Sequence, residues 1–219
     1  MPKAAYIQSA AFLLLAAVAL FASAGTLAIA GFWLYLAILL AVIVISLAIL
    51  PADLLRERMR PGGRRPPLGL RLFTAVMFLA WTVAGLDRGH FHWSDGVPAW
   101  LQGCGLALTA SGYVLVLWAM AVNRFFSSVV RIQAERGQHV VTTGPYAFLR
   151  HPGYLAGLLI MLASGPALGS WLAGAILVIA GVPFLLYRAV SEDRVLAAEL
   201  AGYRDYAQRV RWRLVPGIC

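Results

Sequence analysis

Residues 4–52 read AAYIQSAAFLLLAAVALFASAGTLAIAGFWLYLAILLAVIVISLAILPA, a run of 49 positions without Asp, Glu, Lys or Arg. As one α-helix the run would measure roughly 74 Å, whereas the apolar core of a bilayer is about 30 Å thick. It therefore predicts two membrane spans, residues 7–26 and 31–50, joined by a tight turn. Pro51 ends the second span. The turn is marked by small residues, Ser23, Gly25 and Gly31.

The composition of the whole chain agrees with this segment. Of 219 residues, 61% are hydrophobic and 12% are charged, and the mean hydropathy is +0.79. A soluble domain carries roughly 25% charged residues, so a water-soluble globule is excluded. Intrinsic disorder is excluded by the same high hydrophobicity. The chain is predicted to be an all-α polytopic membrane protein.

The remaining apolar runs predict further spans. Residues 72–86 with their flanks form a third span, and residues 99–122 form a fourth. Residues 151–187 hold two short or tilted spans, which makes about six transmembrane helices. The break between the last two is expected near Ser164, Gly165, Pro166 and Gly169. The loops are predicted to be polar, the first of them irregular as well: residues 51–71, 87–98 and 123–150.

The basic residues predict the orientation of the spans. Six spans put both termini on one side of the membrane, together with loops 51–71 and 123–150. That side holds 17 of the 18 Lys and Arg residues, and Arg88 alone lies on the other. We therefore expect both termini in the cytoplasm, in a bacterial inner membrane. The loops account for the net charge of +9 without a nucleic-acid partner.

An alternative interpretation makes the N-terminus a cleaved signal peptide. Lys3 would supply its positive charge, and Ala22-Ser23-Ala24 its cleavage site. Removing the first span would leave five spans and would break the charge asymmetry between the two sides. The six-span interpretation retains the first span and explains the charge asymmetry.

The densest polar cluster of the chain is GPYAFLRHPGYLAG, residues 144–157. Pro152 suits the first turn of a helix, and the residue before a proline is held out of the helical region. Arg150 and His151 are therefore predicted at the mouth of the fifth span, beside free backbone N–H groups that make an anion site. The alternative is that both residues only anchor a helix in lipid headgroups.

A second cluster, RAVSEDRVLAAELAGYRDY, covers residues 188–206. Continued as a helix, it places Arg188 four residues before Glu192, so the two can pair. A stripe of this helix is expected to hold Glu192, Val195, Glu199, Tyr203 and Tyr206. Alternatively, the segment is an amphipathic helix on the headgroups.

The hairpin of the last two spans should bring the two clusters together. Arg150 and His151 would then lie close to Glu192 and Asp193, in a pocket that suits a zwitterionic or cationic cofactor and an amphipathic substrate. His139 is a further candidate for this pocket. Residues 123–127, NRFFS, are candidates for a lipid entrance.

A weaker candidate lies in the other loop. His90, His92 and Asp95 could form a two-His-plus-carboxylate set, but their spacing in an irregular loop is common by chance. No metal site is predicted.

Together the motifs resemble the isoprenylcysteine carboxyl methyltransferase family, which includes phospholipid methyltransferases. The resemblance covers residues 120–219. The matching elements are Gly144-Pro145-Tyr146, Arg150-His151-Pro152-x-Tyr154-x-x-Gly157, the acidic pair, Gly202-x-x-x-Tyr206 and Pro216. The acidic pair is Glu192-Asp193 here, where the family usually has Glu-Glu.

The resemblance implies S-adenosylmethionine as cofactor and a lipophilic, lipidated or membrane-lipid acceptor. It implies that Arg150 and Glu192 are the catalytic pair. The implied cofactor contacts are His139, Val140, Gly144, Pro145, Tyr146, His151, Tyr154 and Asp193. It also implies a division into an N-terminal membrane region, residues 1–98, and a catalytic core, residues 99–219.

Two other functions fit parts of the same pattern. Sterol-reductase-type membrane enzymes share an Arg-His-Pro-x-Tyr element but use NADPH, and they are usually longer. A non-catalytic lipid-binding membrane protein could keep the same fold. The positioning demanded by methyl transfer from a sulfonium fits the predicted pocket directly.

Overall fold

The computed structural model describes residues 3–63, 67–215 and 217, and within these ranges the regular structure is helical. Pro216 of the family motif lies outside the described residues. The helices are α1 Lys3–Ala24, α2 Ala30–Ile49, α3 Ala52–Met59, α4 Leu68–Leu86, α5 Ala99–Val122, α6 Pro152–Leu168, α7 Trp171–Ile176, α8 Val182–Glu199 and α9 Tyr203–Arg209. The predicted all-α class is confirmed.

The uncharged N-terminal segment folds as the two predicted helices. α1 ends at Ala24, and Gly25 follows with a φ of 66°, a left-handed conformation that favours glycine. α2 begins at Ala30 and ends at Ile49, and Pro51 then precedes α3. The tight turn was therefore predictable from the bilayer thickness together with the small residues.

The prediction of an irregular loop over residues 51–71 was wrong for its first part. Residues 52–59 form α3, with Asp53 in its first turn and Arg56 and Arg58 in its last. These charges complement the dipole of the helix. Leu54 and Leu55 are buried in a small apolar cluster with residues of α5, so tertiary packing holds a segment whose composition is polar.

Five helices of the described residues are long and apolar enough to span a membrane: Ala5–Ala24, Ala30–Ile49, Leu68–Phe91, Ala99–Val122 and Trp171–Glu199. The remaining predicted span is α6, which is apolar but has only 17 residues. α6 ends before Gly169, whose φ of 69° breaks the last hairpin where the sequence predicted. The helix from Trp171 includes one π-helical turn, Leu177–Gly181, and continues beyond the predicted end of the span to Glu199.

Small residues let α5 and α6 pack closely. A Cβ on Gly105 would lie 2.5 Å from the backbone nitrogen of Ala167 and 2.9 Å from the carbonyl oxygen of Ala163. A Cβ on Gly112 would lie 2.8 Å from the side chain of Ile160. Such close approach of backbones is how membrane helices gain van der Waals contact without a hydrophobic driving force. This contact fixes α6, whose first residues carry the Arg-His-Pro motif.

The two polar ends of the bundle are built differently. At one end, Asp87 is buried and accepts hydrogen bonds from the hydroxyls of Ser94 and Ser170, each at 2.5 Å. This carboxylate joins the loop after α4 to the turn between α6 and α7. The other end holds α3, the loop after α5 and α9, and the candidate functional site lies there.

Gly105→Ala should lower the free energy of unfolding by about 2 kcal/mol, because the added methyl overlaps the backbone of α6. Gly103→Ala is the matched control, since a Cβ at Gly103 meets nothing within 4 Å. Thermal unfolding of both variants in the same detergent measures the difference. Equal midpoints for the two variants would contradict the close packing of α5 on α6.

Candidate functional site

A cavity of about 240 Å³ lies among α3, α4, the loop after α5, the start of α6, α8 and α9. One wall is apolar and includes Leu70, Phe73 and Leu185. The other lining residues include charged and phenolic groups from α3, the loop after α5, α6, α8 and α9. The cavity thus offers both an apolar and a charged surface at the end of the membrane helices.

Asp193 is the most heavily hydrogen-bonded carboxylate at this end. It accepts two bonds from Nη1 of Arg150, at 2.9 and 2.8 Å, and it lies 3.1 Å from Nε2 of His151. The hydroxyl of Tyr203 donates to it at 2.8 Å, and Arg213 donates at 3.1–3.2 Å. One buried side chain of α8 therefore ties together the start of α6, α9 and the C-terminal segment.

The backbone around the Arg-His-Pro motif is also occupied. The N–H of Arg150 donates to the carbonyl of Trp212 at 2.9 Å, and the N–H of His151 donates to the carbonyl of Arg213 at 3.0 Å. His151 has φ −130° and ψ 64°, outside the helical region, as predicted for a residue before proline. The C-terminal segment therefore occupies the N–H groups of Arg150 and His151, and the carboxylate of Asp193 lies beside the side chains where an anion was predicted.

Glu192 differs from its neighbour in every contact. Its Oε2 accepts a hydrogen bond from the hydroxyl of Tyr154 at 2.7 Å, and it lines the cavity. The sequence predicted an ion pair between Arg188 and Glu192, but in the described part of the chain the two charged groups do not come within 4.0 Å of each other. Instead, Nε of Arg188 donates to the Tyr154 hydroxyl at 3.2 Å. The phenol stands between the two charges.

The predicted stripe of α8 is interrupted. α8 ends at Glu199, and Gly202, with a φ of 78°, reverses the chain into α9. Glu199 is exposed, whereas Tyr203 and Tyr206 are buried. The hydroxyl of Tyr206 donates to the carbonyl of Tyr146 at 2.8 Å, and burial raises the pKa of Tyr206 to about 12. α9 therefore folds back over the cavity instead of continuing away from it.

α3 fastens the loop that forms the other side of the cavity. Arg131 binds the carboxylate of Glu57 through two hydrogen bonds of 3.0 and 2.9 Å. Burial would raise the pKa of Glu57, but these bonds outweigh it and lower the pKa. Arg136 donates to Asp53 at 2.6 Å and lowers the pKa of that carboxyl to about 2. Two acids of α3 thus position residues after α5.

Seven of the ten predicted site residues line the cavity: His139, Val140, Tyr146, Arg150, His151, Tyr154 and Glu192. Gly144, Pro145 and Asp193 stand outside the lining. Gly144 has a φ of 58°, and Pro145 is buried, so both shape the turn that presents Tyr146. Their functional roles stay predictions.

The two weaker candidates have different outcomes. The predicted entrance segment contributes Asn123, Phe125, Phe126 and Ser127 to the cavity. His92 and Asp95 lie at the opposite end of the bundle, where Arg88 pairs with Asp95 at 3.0 Å. No metal-binding group of three or more His, Cys, Asp or Glu is found among the residues that the structure describes.

Sequence reasoning missed the contribution of the N-terminal half. Arg58, Leu70 and Phe73 precede the expected start of the catalytic core at residue 99, yet they line the cavity. No motif marks them, because their position depends on how α3 and α4 pack against the later helices. The division at residue 98 stays a prediction.

A comparison with known protein families matches the part of the chain that holds these motifs. Residues 100–200 match the family described as phospholipid methyltransferase. The match covers α5, the Arg-His-Pro motif and the acidic pair, and it confirms the resemblance seen in the sequence. The segment that supplies most of the cavity lining is therefore similar to the phospholipid methyltransferase family.

Two curated bacterial proteins are similar to this chain. The nickel-cobalt-cadmium resistance protein NccN of Alcaligenes xylosoxydans xylosoxydans is 30% identical over 64% of this chain and 59% of its own length. The cobalt-zinc-cadmium resistance protein CzcN of Cupriavidus metallidurans is 33% identical over 60% of this chain and 57% of its own length. The similarity thus spans less than two thirds of either relative.

The two adjacent acids should respond differently to loss of charge. Asp193→Asn should lower the free energy of unfolding by about 3 kcal/mol, because it leaves the guanidinium groups of Arg150 and Arg213 without their carboxylate. Glu192→Gln should cost less than about 1 kcal/mol, since an amide oxygen can still accept from Tyr154. Thermal unfolding in detergent compares the two. A larger loss for Glu192→Gln would reverse our assignment of the structural acid.

Proposed function

We propose that the chain transfers a methyl group from S-adenosylmethionine to a lipophilic acceptor at the end of the bundle that holds the cavity. One observation carries the proposal. The segment that matches the methyltransferase family brings Tyr146, His151, Tyr154 and Glu192 to a single cavity with a charged wall and an apolar wall. A polar cofactor and a lipid-like acceptor can meet between such walls.

The residues of the cavity suit the cofactor in charge and shape. Phe125 and Tyr146 offer aromatic faces, and the carboxylate of Glu192 suits a positively charged sulfonium. Nε of Arg150 is a buried donor without a hydrogen-bond partner among the described residues, so it can receive the carboxylate of an amino-acid moiety. When bound, S-adenosylmethionine supplies an electrophilic methyl group and leaves as a neutral thioether.

The side chains of the chain have distinct proposed roles. Glu192 faces the reacting groups and accepts a proton when the nucleophile is neutral, such as an amine or a thiol. A carboxylate nucleophile needs no such transfer. Arg150 orients an anionic group, and Asp193 holds Arg150 and His151 in place. Alignment within a partly dry cavity then accounts for most of the acceleration.

The acceptor is proposed to be an isoprenylcysteine-like carboxylate or a small lipid. Leu70, Phe73 and Leu185 give the cavity an apolar wall next to the membrane helices, which suits a hydrocarbon chain. The excess of basic residues at this end supports a cytoplasmic location for it, with the spans in a bacterial inner membrane. Cofactor would then enter from the cytoplasm and acceptor from the bilayer.

Other functions have weaker support. An NADPH-dependent reductase would share the Arg-His-Pro element, but the family match favours methyl transfer. A non-catalytic lipid-binding protein would use only the apolar wall and would leave Glu192 without a role. The metal resistance in the names of the two relatives is theirs, and no observation on the described residues carries it to this chain.

The proposal is tested by titrating the detergent-solubilised protein with S-adenosylmethionine and with NADPH in a calorimeter, followed by incubation with methyl-labelled cofactor and membrane extract. We expect binding of S-adenosylmethionine alone and a labelled lipid-soluble product. Glu192→Gln should keep the fold and lower product formation at least about 100-fold, because it removes the charge that faces the sulfonium and, for a neutral nucleophile, the proton acceptor.

Arg194→Gln is the control for this experiment, because Arg194 is exposed on the same helix and does not line the cavity. Its activity should match that of the unmodified protein. Binding of NADPH instead, or of neither compound, would overturn the proposal in favour of the reductase or the lipid-binding protein respectively.

A further inference from the structure

The arginines that line the cavity differ in whether a carboxylate pairs with them. Four of its lining residues are arginines, and two of them have carboxylate partners. Arg131 binds Glu57, and Arg150 binds Asp193. Arg58 and Arg188 have no carboxylate within 4.0 Å among the residues that the structure describes. Within the described part of the chain, two guanidinium groups thus border the cavity without a direct carboxylate partner.

The nearby carboxylates are already engaged. Asp53 pairs with Arg124 and Arg136, and Glu57 and Glu135 both pair with Arg131. Glu192 accepts from the phenol that separates it from Arg188. Supplying Arg58 with one of these carboxylates would therefore break an ion pair or, for Glu192, would compete with its hydrogen bond from Tyr154.

The two guanidinium groups line the same cavity and act on each other electrostatically. Burial lowers the pKa of Arg58, and the positive charge of Arg188 lowers it further. Like charges brought together in a partly buried site cost free energy, and an anion placed beside both would recover it. The chain reaches this arrangement from two distant segments, the end of α3 and the middle of α8.

Aromatic rings flank both groups. The guanidinium carbon of Arg58 lies 5.1 Å from the ring centroid of Phe126, and that of Arg188 lies 5.8 Å from the centroid of Phe184. These contacts orient the planar groups, and apart from the bond from Nε of Arg188 to Tyr154 the hydrogen bonds of the described residues leave their N–H donors available. Phe184 also stacks on Phe73 of the apolar wall, with centroids 4.9 Å apart. The charged pair therefore adjoins the surface that suits a hydrocarbon chain.

We infer that Arg58 and Arg188 together bind an acidic group of the acceptor, a carboxylate or a phosphate, whose hydrocarbon chain lies on the apolar wall. This inference rests on the proposed function, since it assigns the acceptor's side of the same cavity. Arg58 lies outside residues 100–200, so this subsite is contributed partly by a segment that the family match does not cover. The N-terminal half then helps to choose the acceptor.

The experiment measures binding of defined lipids and does not depend on turnover. The solubilised protein is titrated with oleate, dioleoyl phosphatidate and oleyl alcohol, and tryptophan fluorescence reports binding. Arg58→Gln should weaken binding of at least one acidic lipid by at least about tenfold and leave oleyl alcohol unchanged. The lipid that responds identifies the acidic group as carboxylate or phosphate. Acetate and inorganic phosphate test whether the free anion suffices.

Arg56→Gln is the matched control, because Arg56 lies on the same helix, is exposed and does not line the cavity. It should change each affinity less than twofold. Arg188→Gln removes the other guanidinium group of the subsite, from α8. It should weaken binding of the same acidic lipid, and it keeps the test valid if Arg58→Gln fails to fold. Affinity for S-adenosylmethionine, measured in parallel, should stay within twofold in the Arg58 variant.

The outcomes separate this inference from the proposed function. Unchanged lipid affinity in folded variants at both arginines would overturn the subsite. Loss of S-adenosylmethionine affinity with unchanged lipid affinity would also overturn it and would assign the arginines to the cofactor. An unmodified protein that binds acidic lipids through Arg58 but does not bind S-adenosylmethionine would refute the proposed function and leave the anion site standing.

Discussion

The candidate site depends on one carboxylate, that of Asp193. It joins segments that are far apart in sequence, the Arg-His-Pro motif, the tyrosines of α9 and the C-terminal segment near Arg213. Without it, Arg150 and Arg213 would repel each other beside a buried imidazole. Because Arg150, His151 and Tyr203 line the cavity, its shape depends on the hydrogen bonds of a residue outside the lining.

This dependence assigns different tasks to two adjacent acids. Glu192 and Asp193 are neighbours on α8, so they point in different directions from the helix axis. Asp193 is directed toward α6 and α9 and is saturated with donors, whereas Glu192 is directed into the cavity and has one phenolic partner. The shorter side chain suffices for the structural task because its partners approach it closely.

Much of the fold could be predicted from the sequence, because the thickness of the bilayer fixes the length of each membrane span and excludes charged residues from it. The uncharged run of residues 4–52 required two helices, and the ends of α5 were visible in Pro98 before it and in Asn123 and Arg124 after it. α3 was missed because four of its eight residues are charged and the segment shows no apolar period, while Leu54 and Leu55 are buried against residues that are distant in sequence. Such packing has no local signature.

For the candidate site, the sequence predicted which residues come together but not their individual partners. The motif residues and the hairpin argument correctly brought Arg150 and His151 next to the acidic pair. Which of the two acids contacts Arg150 and His151 could not be predicted, because adjacent residues of a helix lie on different faces and the sequence does not say which face is turned toward α6. Arg58 could not be predicted either, since its place depends on the ion pairs by which α3 holds the loop after α5.

The central claim is that α9 and the loop after α5 enclose a methyl-donor site. Hydrogen exchange of the solubilised protein, with and without S-adenosylhomocysteine, tests it most directly. The account predicts slower exchange in residues 134–147 and 203–209 when the compound is present, because ordering the walls of the cavity suppresses their local opening. Unchanged exchange in both segments, or protection confined to the opposite end around Asp87, would contradict it.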